Sequence, residues 1–206
     1  MLYTKKVALN VREYQGVTYY SDDEKERYLL KVICDPEVDK SVTVIMLNPT
    51  TTEESLADSV IQKAIHYFPN KIGKVNIVNL FPFRENHIHQ LDEHMKEQNM
   101  RDFSIIKQNL HMIKLAIKDA DEIILAWGSL PDDFSEAHCH TCIRDIVHLI
   151  RMFHKTNHCY VFEIEGQESL LTWDNHPHHP REGKIKGLQH VSELWIEDDC
   201  LVLRFQ

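Results

Sequence analysis

Glycine and proline are scarce in this chain, at six and seven residues among 206. Collagen-like and low-complexity readings need far more of both. No internal repeat, low-complexity tract or Pro/Gly/Ser-rich linker interrupts the sequence. A single domain over residues 1–206 is therefore the simplest organisation. No apolar run approaches the ~20 residues that a membrane span needs. Met1 to Asn10 carries Lys5 and Lys6 but no apolar signal core, so secretion is not expected. Cysteine is sparse and odd in number: Cys34, Cys139, Cys142, Cys159 and Cys200. Without a signal segment, an odd count reads as reduced thiols in a cytoplasm. Positive charge is also short. Against 32 acidic residues stand 23 basic ones, a net charge of -9. Broad, sequence-independent grip on nucleic acid comes from Lys and Arg on phosphates, and this balance argues against it.

What the chain does have is an ordinary globular core supply, 43% hydrophobic and 27% charged residues, and 14 histidines that hint at metal or proton chemistry. Val7–Tyr14 and Gly16–Tyr20 read as strands around a Gln15-Gly16 turn. Ser21–Lys25 follows as a charged turn, then Arg27–Ile33 as a third strand. Beyond them the rhythm changes. Val42–Leu47 is a short apolar run ending in Asn48-Pro49-Thr50, the mark of a strand buried on both faces. Leu56, Val60, Ile61, Ala64, Ile65 and Phe68 then fall at helical spacing, with Thr52 or Ser55 as cap. Val75–Leu80 is the next strand, followed by Phe81-Pro82-Phe83-Arg84. Phe103, Ile106, Leu110, Ile113 and Ile117 form one apolar stripe of a helix over Met100–Lys118. Glu122–Trp127 is a strand closed by Gly128, Ser135–Phe153 a helix, and Tyr160–Ile164 a strand. A polar loop, Leu171–Gly187, precedes a terminal hairpin over Leu194–Phe205.

Alternating strands and helices predict an α/β fold: a three-layer α/β/α sandwich around a central, mostly parallel four-stranded sheet, with N-terminal and C-terminal β additions. Ligands of such sheets bind outside the carboxyl ends of the strands. Four segments fall there: Asn48-Pro49-Thr50, Asn79 to Arg84, Trp127-Gly128-Ser129, and the loop with His176 to Lys186.

In that order, "VIMLNPT", "NIVNLFPFR", "EIILAWG" and "HPHHP" resemble a family of bacterial and phage proteins known only as a domain of unknown function. The resemblance runs over about residues 26–181. It includes an arginine-bearing strand, here Glu26-Arg27-Tyr28-Leu29, and an Asp opening the first helix, here Asp58. Two departures stand out. The family's Asp-Pro-Thr reads Asp58-Ser59-Val60 here, and Arg181-Glu182 replaces the Leu-Tyr that follows its His-Pro. The motif order is also similar to the uracil-DNA glycosylase superfamily, and Asn48-Pro49 is most similar to its mismatch-specific branch.

The superfamily resemblance implies roles. Breaking an N-glycosidic bond leaves an anionic base, which a neutral His179 stabilises by hydrogen bonding. Asn48 orients water but cannot accept its proton, so it supports positioning rather than general-base catalysis. Asn79 offers one acceptor and a two-proton donor, the pattern that reads a uracil-like edge. Pro49, Phe81 and Phe83 would line the base site, with a phenylalanine stacked on a flipped base. Arg84, Arg181, Lys184 and Lys186 would hold phosphates. The partner implied is DNA, or a uracil-like nucleobase or nucleotide. The motif histidine is His176 or His179, and the spacing to the C-terminal segment favours His179.

Each residue also has a plainer reading. Asn48-Pro49 can be a strand-ending turn, Asn79 can satisfy backbone groups, Phe81 and Phe83 can be core, and the lysines can be a solvated loop. His138-Cys139-His140-Thr141-Cys142 has Cys-x2-Cys spacing, but zinc needs a second ligand pair. The histidines that would supply it, His176, His178 and His179, sit on the loop assigned to the site. No metal or cofactor is expected, and the thiols read as packing on a helix.

Overall fold

The computed structural model describes residues 3–8, 15–21, 25–49, 60, 62–63, 66–68, 71–84, 102–130 and 136–206. Nine strands form one sheet in the order β1-β2-β3-β5-β4-β6-β7-β8-β9. They are β1 (Tyr3–Ala8), β2 (Gln15–Tyr20), β3 (Arg27–Ile33), β4 (Ser41–Met46), β5 (Lys74–Asn79), β6 (Glu122–Leu125), β7 (Cys159–Ile164), β8 (Ile185–Glu197) and β9 (Cys200–Phe205). Helix α1 (Asp102–Asp119) joins β5 to β6, and α2 (Glu136–Met152) joins β6 to β7. Among the described residues no helix is long and apolar enough to cross a membrane.

The α/β class stands, but the expectation of a mostly parallel four-stranded sheet is corrected. The terminal strands are not appendages; they continue the same sheet at both edges. Pairings β4–β5, β4–β6 and β6–β7 are parallel, whereas β1–β2, β2–β3, β3–β5, β7–β8 and β8–β9 are antiparallel. Taken whole, the sheet is mostly antiparallel. Local patterning marks strands but does not report the direction of a neighbour, which is why the expectation of mostly parallel pairing fails at both edges.

Strand β4 is central, and every one of its six residues is buried. Its faces divide by the alternation of strand side chains. Ile45 packs with α1 and α2 through Ile113, Ile117, Ile143 and Ile150. Val42, Val44 and Met46 face the other way, against Val60, Phe68 and Ile72. Residues 60, 62–63 and 66–67 are helical, so the second face is covered as well. The remaining positions expected in that helix, with caps Thr52 and Ser55 and with Asp58, lie outside the described residues. Thr43 is the polar residue in the middle of β4, and its Oγ1 donates to Ala116 O of α1 at 2.9 Å. That bond removes the penalty of a buried hydroxyl.

Two local expectations also differ. Gln15-Gly16 is not a turn but opens β2, with Gly16 opposite Val7. Strand β8 begins at Ile185, inside the segment expected to be loop. Lys186, Gly187, Gln189 and His190 hide it, because much of β8 is only partly buried and needs no apolar alternation.

Candidate functional site

The carboxyl ends of β4, β5 and β6 come together through backbone bonds that extend past the strands. Leu80 N donates to Met46 O at 2.8 Å, Phe81 N to Leu47 O at 2.9 Å, and Ala126 N to Ile45 O at 2.8 Å. These bonds bring Asn48, Asn79 and Trp127 to one edge of the sheet. The half-buried Asn48 donates from Nδ2 to Pro49 O at 3.3 Å, and Pro49 is buried.

Asn79 is the last residue of β5 and lies opposite Met46. It is fully buried, at 0% exposure. Its backbone is fixed from α1, where Asn109 Nδ2 donates to both Asn79 O and Leu80 O at 3.0 Å. Its side-chain Oδ1 and Nδ2, in contrast, have no hydrogen-bond partner among the described residues. Leaving a buried donor or acceptor unpaired costs about 1–3 kcal/mol each. The plain reading, that Asn79 caps backbone groups, is therefore not what the structure shows.

Phe81 and Phe83, at 0% and 2% exposure, belong to the apolar cluster on the α1 side. Packing is the role the structure gives them. Glu26 bridges to Phe83 and Arg84 N donates to Lys25 O, so this segment is zipped to the start of β3. The Arg84 guanidinium lies over the Tyr20 ring, 5.2 Å from its centroid.

The third and fourth motifs touch. Trp127 is buried, and its Nε1 donates to His176 Nδ1 at 3.2 Å. Gly128 N donates to Pro177 O at 2.9 Å. Gly128 has φ +80°, and a Cβ there would lie 2.8 Å from His179 Cβ. Only glycine fits this turn without strain, and its missing side chain is what lets the histidine loop close on it.

That loop begins as a locked hairpin, with Leu171 bridged to Pro177. Thr172 N donates to His176 O at 2.9 Å, His176 N to Thr172 Oγ1 at 3.0 Å, and Asn175 N to Thr172 O at 3.0 Å. Thr172 Oγ1 also donates to Asp174 Oδ1. Asp174 Oδ2 accepts from Leu130 N at 2.9 Å, tying the hairpin to the loop after β6. His176 is thus part of the frame. Burial pushes its pKa down, against the pull of Asp174, and His140 adds to the lowering.

His179 is arranged differently. Its Nδ1 accepts the Arg181 backbone N–H at 3.1 Å, which leaves Nε2 to carry the proton of a neutral ring. Burial, and then the Arg181 charge, push its pKa down to about 4, with Glu182 opposing. Glu182 organises the turn. Its Oε1 accepts His179 N at 2.9 Å, Glu182 N donates to His179 O at 2.9 Å, and its Oε2 meets His178 Nδ1. His178 Nε2 faces Ser169 O at 3.1 Å. Both His178 nitrogens face acceptors, so the ring is clamped between Glu182 and the Ser169 carbonyl.

The expected basic rim is largely tied up. Lys184 Nζ lies 2.9 Å from Glu165, and Lys186 Nζ 3.6 Å from Glu163. Lys186 is also a β8 residue rather than a loop residue. Arg181 is exposed beside His179.

Among the described residues no group of three or more His, Cys, Asp or Glu side chains is placed to hold a metal. Cys139 is buried and Cys142 half-buried, both on α2. Burial, reinforced by Asp145, pushes the Cys142 thiol up to about 12, the opposite of a reactive thiolate.

Asn109, Asp174 and Glu182 were not anticipated. Asn109 had a signal: it sits three residues after Ile106 and four before Ile113, on the buried stripe of α1. Glu182 had one in the departure from Leu-Tyr after His-Pro. Asp174 had none beyond a turn-prone Asp-Asn pair.

Fold and site together describe an α/β protein with a polar cluster at the carboxyl ends of its central strands. The family model described as protein of unknown function (DUF1643) matches residues 27–181, more than half of the chain. The chain belongs to that family. No curated protein and no solved structure matched it.

Proposed function

We propose that this chain is a uracil-DNA-glycosylase-like protein that binds uracil or a related base and excises it hydrolytically from DNA. The observation that carries the reading is Asn79, whose buried amide has both Oδ1 and Nδ2 unpartnered among the described residues. A carbonyl and an adjacent ring N–H, the edge that uracil presents, would satisfy Nδ2 and Oδ1 respectively. His179 supplies the second need. With Nδ1 occupied by the Arg181 N–H, the neutral ring is a donor at Nε2. Such a donor stabilises charge developing on a base carbonyl and needs no proton transfer.

The reaction balances as follows. Water adds through oxygen to the sugar C1′, and the C1′–N bond breaks with its electron pair leaving on the base. The base anion takes the hydrogen bond from His179, and the water proton passes to solvent. Asn48 orients the water and cannot accept that proton, so turnover should be modest.

A second reading has its own support: a catalytically weak or silent nucleobase-, nucleotide- or protein-binding module of the same fold. Lys184 and Lys186 are paired with glutamates, which weakens the case for a phosphate-gripping rim. One experiment separates the two. Uracil-containing single- and double-stranded DNA is incubated with the protein and treated with alkali. Breaks that vanish in Asn48→Ala, Asn79→Ala and His179→Ala carry the enzymatic reading. Absence of breaks, with a thermal shift on free uracil that Asn79→Ala abolishes, replaces it with the binding module.

A further inference from the structure

Trp173 is 80% exposed, against 43% for Leu115 and 44% for Met152, the other exposed large hydrophobic side chains among the described residues. Isolated apolar groups on a surface are ordinary. This one differs in how it is held. It occupies the tip of the Leu171–Pro177 hairpin, between Thr172 and Asp174, whose hydrogen bonds fix the turn from both sides. Asp174 anchors the tip to Leu130 N, and His176 anchors its base to Trp127. A chain that locks a turn this firmly has already met the ordering cost, yet the indole it presents stays in water. An indole is among the largest apolar surfaces a side chain can bury.

The same tip borders a cavity of about 660 Å³ lined by Ser129, Gln167, Ser169, Trp173, His178 and Glu182, among others. Ser129 follows Gly128 directly, and Glu182 holds the His179 turn. The cavity therefore lies next to the Gly128–His179 contact. Among the described residues its lining is polar apart from the indole, Leu171 and Gly166.

We infer that Trp173 is a stacking platform for a nucleobase flanking the one held at Asn79 and His179, and that the substrate strand is single or locally opened. This rests on the reading of the site as a base pocket. An aromatic face accepts any base, because every base offers a π face, whereas a paired base inside a duplex offers none. Ser129, Gln167 and Ser169 supply polar contacts to the edge of that base. With Lys184 and Lys186 paired to glutamates, affinity is to be gained mostly by stacking.

The test uses Trp173 fluorescence in a Trp195→Phe background, in which the only other indole, Trp127, is buried. Uracil-free oligothymidylate of about ten nucleotides is titrated in, a length typical of single-strand sites. Quenching is expected. Trp173→Ala lacks the reporter and is measured by competition for the oligonucleotide, with affinity lowered about 5- to 150-fold, the range of one base–aromatic stack. Trp173→Phe, measured by competition, should restore most of it. No binding by the parent, or equal binding by Trp173→Ala, overturns the proposal. Free-uracil thermal shift reports on Asn79 and His179 separately. If that shift is absent while the Trp173-dependent binding persists, the base-pocket reading falls and the platform stands.

Discussion

Replacing Asn79 by leucine should make the ligand-free protein more stable. The side chain is fully buried, and neither of its polar atoms has a partner among the described residues. Each orphaned group costs about 1–3 kcal/mol in the folded state and nothing in the unfolded one, where water satisfies it. Leucine is close in size, removes both penalties and adds apolar contact beside Met46 and Ile77, at the cost of some repacking. The net expectation is a gain of about 1–3 kcal/mol. For a chain of this length each kcal/mol moves Tm by roughly 2–4 °C, so Tm should rise by about 3–10 °C. Differential scanning calorimetry of the two proteins reads this directly. Free uracil should raise Tm of the parent and leave Asn79→Leu unmoved. Gain of stability with loss of binding is the signature of a polar group kept for a ligand. A fall in Tm of more than a few degrees would refute the reasoning, because it would mean that the amide is satisfied within the folded protein.

Three further outcomes are expected. Gly128→Ala forces a Cβ to 2.8 Å from His179 Cβ at φ +80°, so denaturant unfolding should show a loss of about 2–4 kcal/mol, with strain and displacement of the His179 turn both contributing. Glu182→Ala removes the acceptor of His179 N and the partner of His178, and should cost about 2–3 kcal/mol. Glu182→Gln keeps the first bond and should cost about half as much, while equal stability of all three proteins would exclude Glu182 as organiser. Acid should destabilise the fold through His179. Its folded pKa, about 4, lies below the unfolded value near 6.5, so the unfolded chain takes up the proton first. That contribution is complete above pH ~6.5 and is lost as pH falls towards 4, about 2 kcal/mol after allowance for partial exposure. Urea unfolding at pH 7.5 and 4.5 should show the difference, and His179→Gln should flatten it.

The parts of this protein that the sequence made legible are those governed by neighbours along the chain. The apolar run over Val42–Leu47, the stripe through Ile106, Ile113 and Ile117, and the polar residues ending the strands all announce themselves locally. What stayed hidden depends on partners far away in sequence. The direction of β3 beside β5 is a tertiary fact, and so is the pairing of β8 with β7 that turns an expected loop into strand. The candidate site divides along the same line. Asn79 was legible as a strand-end polar residue and His179 as a motif histidine of the loop that follows the last parallel strand. Their condition was not: the orphaned amide follows from burial, and the neutral ring from a backbone N–H two residues on. Phe81 and Phe83 were ambiguous for a related reason, since one apolar side chain serves a core or a stacking face equally well until its surroundings are known.

Salt dependence offers the last check, because it counts charges rather than contacts. Each phosphate neutralised on a single strand contributes a slope of about -0.7 to log affinity against log salt concentration. Four rim cations acting together would give about -2.8. Lys184 and Lys186 already sit against Glu165 and Glu163, and moving either lysine to a phosphate would leave a carboxylate facing the strand. If both pairs persist on binding, at most Arg84 and Arg181 contribute, and the slope should be no steeper than about -1.4. The double variant Lys184→Ala with Lys186→Ala should then keep the same slope, whereas Trp173→Ala should lower affinity by the same factor at every salt concentration. A slope near -3 that flattens in the lysine double variant would show that the phosphates displace the glutamates and that charge, not stacking, holds the strand.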